Sequence, residues 1–421
     1  MGLDIRPLTA DDDLRAEVDL ASRAFGPGDD ADRLATAERF VAAGQYLGVF
    51  DGPALIATAR YTDIRQWWRG RPVRTAAIVS VKVAPEERGR GAGRALMTAL
   101  VELTAERGFA LSVLYPATAR LYRSVGYELA GGQYEVVVPS RSLLRLLPPD
   151  VAAGYGQVGA DPGAVADAAA GRAGLRRAGP ADAAEIVKVE ESCRMAARDC
   201  GPITYGAADL AGLIDDEEIY CYLAPDGSVA YRWNRSQDEL TVYSLVAGSA
   251  ATARALWLIV ASHATMVARV RAYVSPADPV NWLLSEPDAA LARAEQWMLR
   301  LLDPAAAISG RGYPAGARAV VPLELTDTLF PAHSGRWLLE IAAGEARLSR
   351  PGSGPGGAGT AGPAGAAATD PLRLGPRGLA ALYAGTPLRT LRIAGLITGG
   401  EDAAEALDEA FGCTPHMFDY F

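Results

Sequence analysis

The chain is poor in cysteine and lysine and has no long apolar run. Four cysteines among 421 residues, Cys193, Cys200, Cys221 and Cys413, show neither Cys-x-x-Cys spacing nor histidine partners, which excludes a disulfide-stapled scaffold and a zinc cage. Buried free thiols in a reducing compartment are expected instead. Lys82 and Lys188 are the only lysines, and arginine carries the rest of the positive charge. With 41 basic and 50 acidic residues the formal charge is −9, a field that repels a nucleic-acid backbone, so nucleic acid is not an expected partner. The most apolar helical stretch, Ala255 to Ala268, is interrupted by Ser262 and His263 and falls short of the roughly 20 residues that span a bilayer. The first residues run into Asp11, Asp12 and Asp13 rather than into the basic and apolar regions of a signal peptide. A cytoplasmic protein with no membrane contact is expected.

Hydrophobic residues make up 50% and charged residues 22% of the chain, which is ordinary globular usage and enough length for two to four domains. Leu3-Asp4-Ile5-Arg6-Pro7 reads as a strand, and Thr9-Ala10-Asp11-Asp12 as the cap of a helix that ends near Phe25-Gly26-Pro27. A similar strand, turn and capped helix recurs about 170 residues later, from Leu175 through Val189, a weak internal repeat. The expected organisation is a first domain over 1–147, a linker over 148–174 rich in Ala, Gly and Asp, a second domain over 175–301 and a third over 302–421. Within the second, strands are expected at Glu218 to Leu223, Val229 to Trp233 and Glu239 to Leu245, followed by a helix from Ala251 to Ala268. The third contains Pro351 to Asp370, a Gly/Pro/Ala tract expected to form a long mobile loop.

The most informative segment is Ala76 to Leu103. A buried-strand run from Ala76 to Val83 stops at Pro85, and Arg88-Gly89-Arg90-Gly91-Ala92-Gly93 then opens a helix carrying Leu96, Leu100 and Leu103. Glycines let the backbone curl around a ligand, and the free N–H groups of a helix N-terminus favour negative charge there. Arg88, Arg90 and Arg94 add positive charge that a pyrophosphate would offset. A dinucleotide fingerprint fails because Arg94 stands where a third glycine is needed, and a P-loop fails because no Gly-Lys-Ser/Thr follows. An ordinary strand-turn-helix is the plain alternative. Beyond the next strand, Ala110 to Leu114, come Tyr115-Pro116 and a short helix with Leu121-Tyr122 before Ser124-Val125-Gly126-Tyr127.

The Arg-x-x-Gly-x-Gly spacing between strand and helix resembles motif A of the GNAT acyltransferases. Together with Leu121 to Tyr127, a degenerate second half and the aromatic end Met-Phe-Asp-Tyr-Phe, the chain resembles the enhanced-intracellular-survival (Eis) acetyltransferases over essentially its whole length. The resemblance implies an α/β (α+β) fold: tandem GNAT-like domains followed by a sterol-carrier-protein-like α+β domain. It implies an N-acetyltransferase in which acetyl-CoA, with no metal, lies along the backbone of Val81, Lys82 and Val83 and over Arg88, Gly89, Arg90, Gly91, Ala92 and Gly93. Tyr122 would protonate the departing thiolate, with Tyr127 as the competing tyrosine, and the α-carboxylate of Phe421 would be the general base. An acceptor pocket would be lined by Phe25, Asp29, Asp30, Asp32, Ser80 and Tyr420, with Gln66-Trp67-Trp68 as a further wall. The implied acceptor is an amine of a cationic small molecule, aminoglycoside-like, or a lysine side chain, and the implied assembly is a hexamer. Tyr420 precedes the terminal Phe, with an acid only at Asp419, whereas the aminoglycoside-acetylating pattern puts an acid immediately before it. Transfer of another acyl group to a natural-product amine, or a non-catalytic acyl-CoA or lipid-binding role for the third domain, are the alternatives.

Overall fold

The structure is a computed structural model and describes residues 2–146, 174–234, 236–351 and 370–420. The expected linker therefore lies outside the described residues except for Gly174, and so does the Gly/Pro/Ala tract except for its ends.

The first unit begins with β1 (Asp4–Pro7), α1 (Leu14–Phe25) and α2 (Asp30–Ala42). Asp13 caps α1 by accepting from the backbone N–H of Arg15, and the buried face of the helix carries Val18, Leu20 and Ala21 at helical spacing. Next come β2 (Tyr46–Asp51), β3 (Ala54–Trp68), β4 (Arg71–Val83), α3 (Ala92–Glu106), β5 (Leu111–Leu114), α4 (Ala119–Arg123), β6 (Glu128–Pro139) and α5 (Ser140–Leu144). The second unit repeats the order with β7 (Arg176–Ala178), α6 (Ala183–Ala197), β8 (Cys200–Thr204), α7 (Ala207–Ile214), β9 (Ile219–Ala224), β10 (Gly227–Trp233) and β11 (Glu239–Ala247). It ends with α8 (Ala250–Ala261), β12 (Arg269–Val274) and β13 (Ala290–Leu301). Helix α8 stops seven residues before the expected Ala268: at Ser262 the side-chain hydroxyl donates to the carbonyl of Ile259 (2.6 Å), and the chain turns to enter β12.

The segments expected to close separately, 1–147 and 175–301, exchange their last strands. Among the described residues they share one 14-stranded sheet in the order β1-β2-β3-β4-β5-β13-β6-β12-β11-β10-β9-β7, with β8 added to β3 and a short strand of the C-terminal tail, His416–Met417, added to β6. Strand β13 runs antiparallel to β5, Met298 facing Leu114 and Leu301 facing Leu111, while β6 runs antiparallel to β12 with Val138 facing Val270. Each half thus completes the sheet of the other, and Trp297 to Leu301 are buried in the exchange. Burying these residues from both sides removes two sheet edges that would otherwise be open.

The third unit comprises α9 (Pro304–Gly310), β14 (Ala319–Leu325), β15 (Gly335–Ala342), β16 (Glu345–Ser349), β17 (Leu372–Leu374), α10 (Pro376–Tyr383), α11 (Leu388–Ile393), β18 (Ile397–Thr398) and α12 (Ala404–Phe411). Its sheet is ordered β16-β15-β14-β17-β18. Side chains such as Val321, Leu339, Leu379, Leu382 and Phe411 fill its interior in one cluster with Trp68 and Trp297 of the large sheet. Arg311, fully buried, donates to the carbonyl of Tyr383 and lies over the rings of Tyr313, Tyr383 and Phe411 at 5.1, 4.8 and 4.9 Å. A last strand, β19 (His416–Met417), returns to the large sheet beside β6.

Arg300 of β13 ties the three units together. Its guanidinium is fully buried, donates to the carbonyl of Val125 (2.6 Å) and pairs with Asp327 of the third unit (2.8 Å). Replacing it breaks a buried pair, a loss of up to about 3–5 kcal/mol, and leaves Asp327 only His333 and the N–H groups of Leu329 and Phe330. Arg300→Met should therefore lower the first thermal transition by several degrees in calorimetry, and an unchanged melting curve would refute this role.

Candidate active site

Strands β4 and β5 run parallel only from Thr75 to Ala77, opposite Leu111 to Val113. From Ile78 onward β4 stays bonded to β3 alone, so the backbone edge of Ser80 to Val83 that faces β5 is left open among the described residues. The β3–β4 register slips between Thr58 and Arg60, opposite Ser80, and Ser80 sits at φ 57°, an unusual conformation for a residue other than glycine. An extra residue here turns the strand and spreads the wedge.

At the end of this wedge the chain enters α3. Gly89 (φ 82°) and Gly91 (φ 90°) both take left-handed conformations, and nothing lies within 4 Å of where their side chains would project. Gly91 is the N-cap and offers no side chain, so the first N–H groups of α3 have no cap partner. Arg88 and Arg94 are exposed and in no ion pair among the described residues, whereas Arg90 pairs with Glu87. Ala92 is buried under the helix, and Gly93 packs on Val83. An open, uncapped turn flanked by arginines fits a pyrophosphate.

The structure separates the two tyrosines. Tyr127 is fully buried and its hydroxyl is hydrogen-bonded to Ser112 Oγ at 2.6 Å, so it belongs to the core. Tyr122 packs edge-on against it with ring centroids 6.3 Å apart, and its hydroxyl has no hydrogen bond among the described residues. Burial, with a smaller push from Tyr420, raises the Tyr122 phenol to about 12, so it carries its proton at neutral pH.

The C-terminal tail is seated beside this wedge. Gly201, at φ 102°, lets it pass, for a side chain there would meet the carbonyl of His416 at 2.4 Å. Gln133 donates to the carbonyl of Phe418 (2.8 Å), the Tyr115 hydroxyl donates to the carbonyl of Asp419 (2.8 Å), and the Tyr420 ring packs on Tyr115 at 4.6 Å. Tyr115 directly follows β5, so Tyr420 stands at the wedge. Phe421 lies outside the described residues. Burial raises the Asp419 carboxyl to about 7, opposed by the nearby Arg194.

Other expected site residues take different places. The Lys82 side chain points away from the glycine turn into a buried cluster: it pairs with Glu17 of α1 and donates to Tyr46 Oη (3.1 Å) and Ser80 Oγ (3.2 Å). Burial lowers its pKa, against the attraction of Glu17. Only its backbone, with those of Val81 and Val83, lies along the wedge. Asp29 caps α2 by accepting from the N–H groups of Ala31 and Asp32, while Asp30 and Asp32 are exposed in the first turn and Phe25 is 58% exposed. Trp67 and Trp68 form no pocket wall: both are buried, Trp67 donating to Thr204 Oγ1 (2.7 Å) and Trp68 packing on Tyr383 at 4.7 Å. Sequence reasoning missed Glu17, Tyr46 and Tyr115. For Tyr115 the strand-ending Tyr-Pro was a signal, but Glu17 looked like any acid in a first helical turn. No group of three or more His, Cys, Asp or Glu side chains that could hold a metal occurs among the described residues, and no helix there is long and apolar enough to cross a membrane.

These features agree with comparisons to known proteins. Two family models, each described as an acetyltransferase (GNAT) domain, match residues 4–130 and 208–301, and a sterol carrier protein domain matches 304–418. The chain is 40% identical to a GCN5-related N-acetyltransferase from Kribbella flavida, whose crystal structure superposes with a TM-score of 0.86, covering 100% of this chain and 98% of that one. It is 27% identical over 322 residues to the N-acetyltransferase Eis of Mycobacterium tuberculosis, 72% of each chain. Eis1 of Mycobacterium abscessus shares the fold, with a TM-score of 0.71 over the full length of both chains at 24% identity. The tandem GNAT domains and the sterol-carrier-like third unit are those expected from the sequence.

A carboxyl group whose folded pKa is raised contributes stability that is whole below the ordinary Asp value, near ~3.9, and is lost as the pH rises through about 7. Asp419→Asn should therefore melt a few degrees above the parent at pH 8 and together with it at pH 4. Calorimetric differences equal at both pH values would contradict a desolvated Asp419.

Proposed function

The chain belongs to the GCN5-related N-acetyltransferase family, in its Eis-like branch, and from that premise we propose that it transfers an acetyl group from acetyl-CoA to a primary amine by direct attack in a ternary complex. The observation that carries the reading is the open wedge between β4 and β5, with the uncapped α3 turn at one end and the unbonded Tyr122 hydroxyl beside it. Acetyl-CoA supplies the activated acetyl group as a thioester. Arg88, Gly89, Arg90, Gly91, Ala92 and Gly93 would hold its pyrophosphate by backbone N–H groups and charge, and Val81 to Val83 its pantetheine by strand-like pairing.

A backbone N–H of this open strand edge polarises the acetyl carbonyl, stabilising negative charge as it develops. As the amine nitrogen bonds to the carbonyl carbon and the carbon–sulfur bond breaks, one amine proton passes to a carboxylate of the tail and the Tyr122 Oη proton passes to sulfur. By resemblance that carboxylate is the α-carboxylate of Phe421, and the seating of Phe418, Asp419 and Tyr420 against Gln133 and Tyr115 supports a role for the tail. Residues Ser80 and Tyr420 would face the acceptor, with Phe25, Asp29, Asp30 and Asp32 at a more distant, exposed rim. The wider proposal is a cytoplasmic homo-oligomer, a hexamer by resemblance. Trp282 and Leu291, 72% and 63% exposed, are apolar surface that assembly would cover. The filled interior of the third unit favours a structural part for it over lipid carriage.

Release of coenzyme A, followed with a thiol reagent over a panel of amines, tests the activity. Tyr122→Phe should cut turnover by about 10²-fold or more while acetyl-CoA binds as before, and Tyr127→Phe should keep most of it. Equal losses in the two variants would overturn the assignment of the acid. Deleting Phe421 should abolish turnover and spare acetyl-CoA binding, and undiminished turnover would remove the terminal carboxylate from the mechanism.

A further inference from the structure

A cavity of about 320 Å³ lies in the second GNAT unit, between helices α6 and α7 and strands β9 to β11, closed on one side by the tail. Its size is that of a small-molecule site. Ile186, Leu213, Tyr222 and Val229 give it mostly apolar and aromatic walls. A cavity of this kind on a domain without the glycine turn is not needed for acetyl-CoA, and of its lining the reaction described above involves only the tail.

Among the polar groups that line it, Arg194 and Ser244 are incompletely satisfied. Arg194 is 2% exposed, yet its Nε and Nη1 atoms have no hydrogen-bond partner among the described residues. The nearest carboxylates, Glu190 at 3.6 Å and Asp199 at 3.9 Å, attract it without bonding, and its guanidinium lies over the Phe418 ring at 5.4 Å. Ser244 Oγ is also buried with no partner among the described residues. Buried donors left without an acceptor are costly, and a ligand oxygen would relieve that cost. Glu190 and Asp419 line the same space, so two carboxylates face one guanidinium and the balance favours a cation. Asp419 is desolvated there, its pKa raised to about 7, and an ammonium partner would relieve that cost. The tail that walls the cavity is the one whose next residue, Tyr420, packs on Tyr115 at the end of β5.

We propose that this cavity binds the acceptor, and that the acceptor is a primary monoamine on an apolar body bearing one hydroxyl or carbonyl oxygen, its ammonium facing Asp419 and its oxygen facing Arg194 and Ser244. The proposal rests on the acetyl-transfer reading for the word acceptor, while binding in the cavity does not depend on it. Polycations fit poorly, because mostly apolar walls leave their further charges without water or partners.

The test uses the full chain with tyramine as the apolar monoamine and spermidine as the polycation. Coenzyme A release should show a kcat/KM for tyramine at least tenfold above that for spermidine. Ala230→Trp, which fills the cavity from β10, and Leu213→Trp, at its 48% exposed rim, should each raise the tyramine KM tenfold or more while the acetyl-CoA KM stays unchanged. Calorimetric titration of tyramine in the absence of acetyl-CoA reads the cavity independently of chemistry, and binding should be lost in both variants and weakened in Asp419→Asn above pH 7. The rim variant guards against a misfolded Ala230→Trp protein. Tyramine binding that survives both substitutions in folded protein, no tyramine binding at all, or a preference for spermidine would each overturn the proposal. Tyramine that binds and is displaced by both substitutions, with no coenzyme A released from any amine, would uphold the cavity and overturn the acetyl-transfer reading instead.

Discussion

The exchange of terminal strands is the constraint on which the rest depends. Strand β5 is bonded to β4 through three residues only, so its other neighbour must hold it, and that neighbour is β13, delivered from the second unit. The wedge can stay open because β5 is anchored on its far side. The same strand carries Arg300, whose bonds to Val125 and Asp327 fix the loop after α4 and the third unit at once. A second GNAT unit with no glycine turn of its own is thus a structural part of the first unit's site.

Electrostatics divide the site into two regions. At the α3 turn, exposed arginines and bare backbone N–H groups make a place for anionic charge on a chain whose net charge is −9. At the tail, Glu190, Asp419 and Asp199 surround one incompletely bonded arginine, and burial raises the carboxyls of Asp419 and Asp199. Between the two stands Tyr122, protonated because it is buried. The Glu17–Lys82–Tyr46 cluster acts on neither region directly. It holds Ser80 through its hydroxyl at the bulge that spreads the wedge, and so supports the geometry from beneath.

What could be read from the chain alone followed how local each feature is. The turn from Arg88 to Gly93 depends on glycine conformations and a helix start, both set within a few residues, and it stood out at once. The strands expected at Val229 to Trp233 and Glu239 to Leu245 fall within β10 and β11 because period and punctuation are local too. Other features depended on distant partners. Trp67 was open to a pocket role until Thr204, 137 residues away in sequence, received its N–H. Lys82 faced either way along a strand until Glu17 of α1 paired with it.

The sequence by itself determined the fold class, the family and the glycine turn before α3, because backbone conformation and hydrophobic period are written residue by residue. Only the tertiary structure separated the two tyrosines, since Ser112 on a neighbouring strand bonds Tyr127 while the Tyr122 hydroxyl has no hydrogen bond among the described residues. Strand exchange was likewise beyond the sequence: a strand's pattern says that it is buried, and not which of two similar sheets buries it. The cavity beside the tail arises from helices, strands and the tail, far apart in the chain, and its incompletely bonded arginine becomes visible only when all of them are in place.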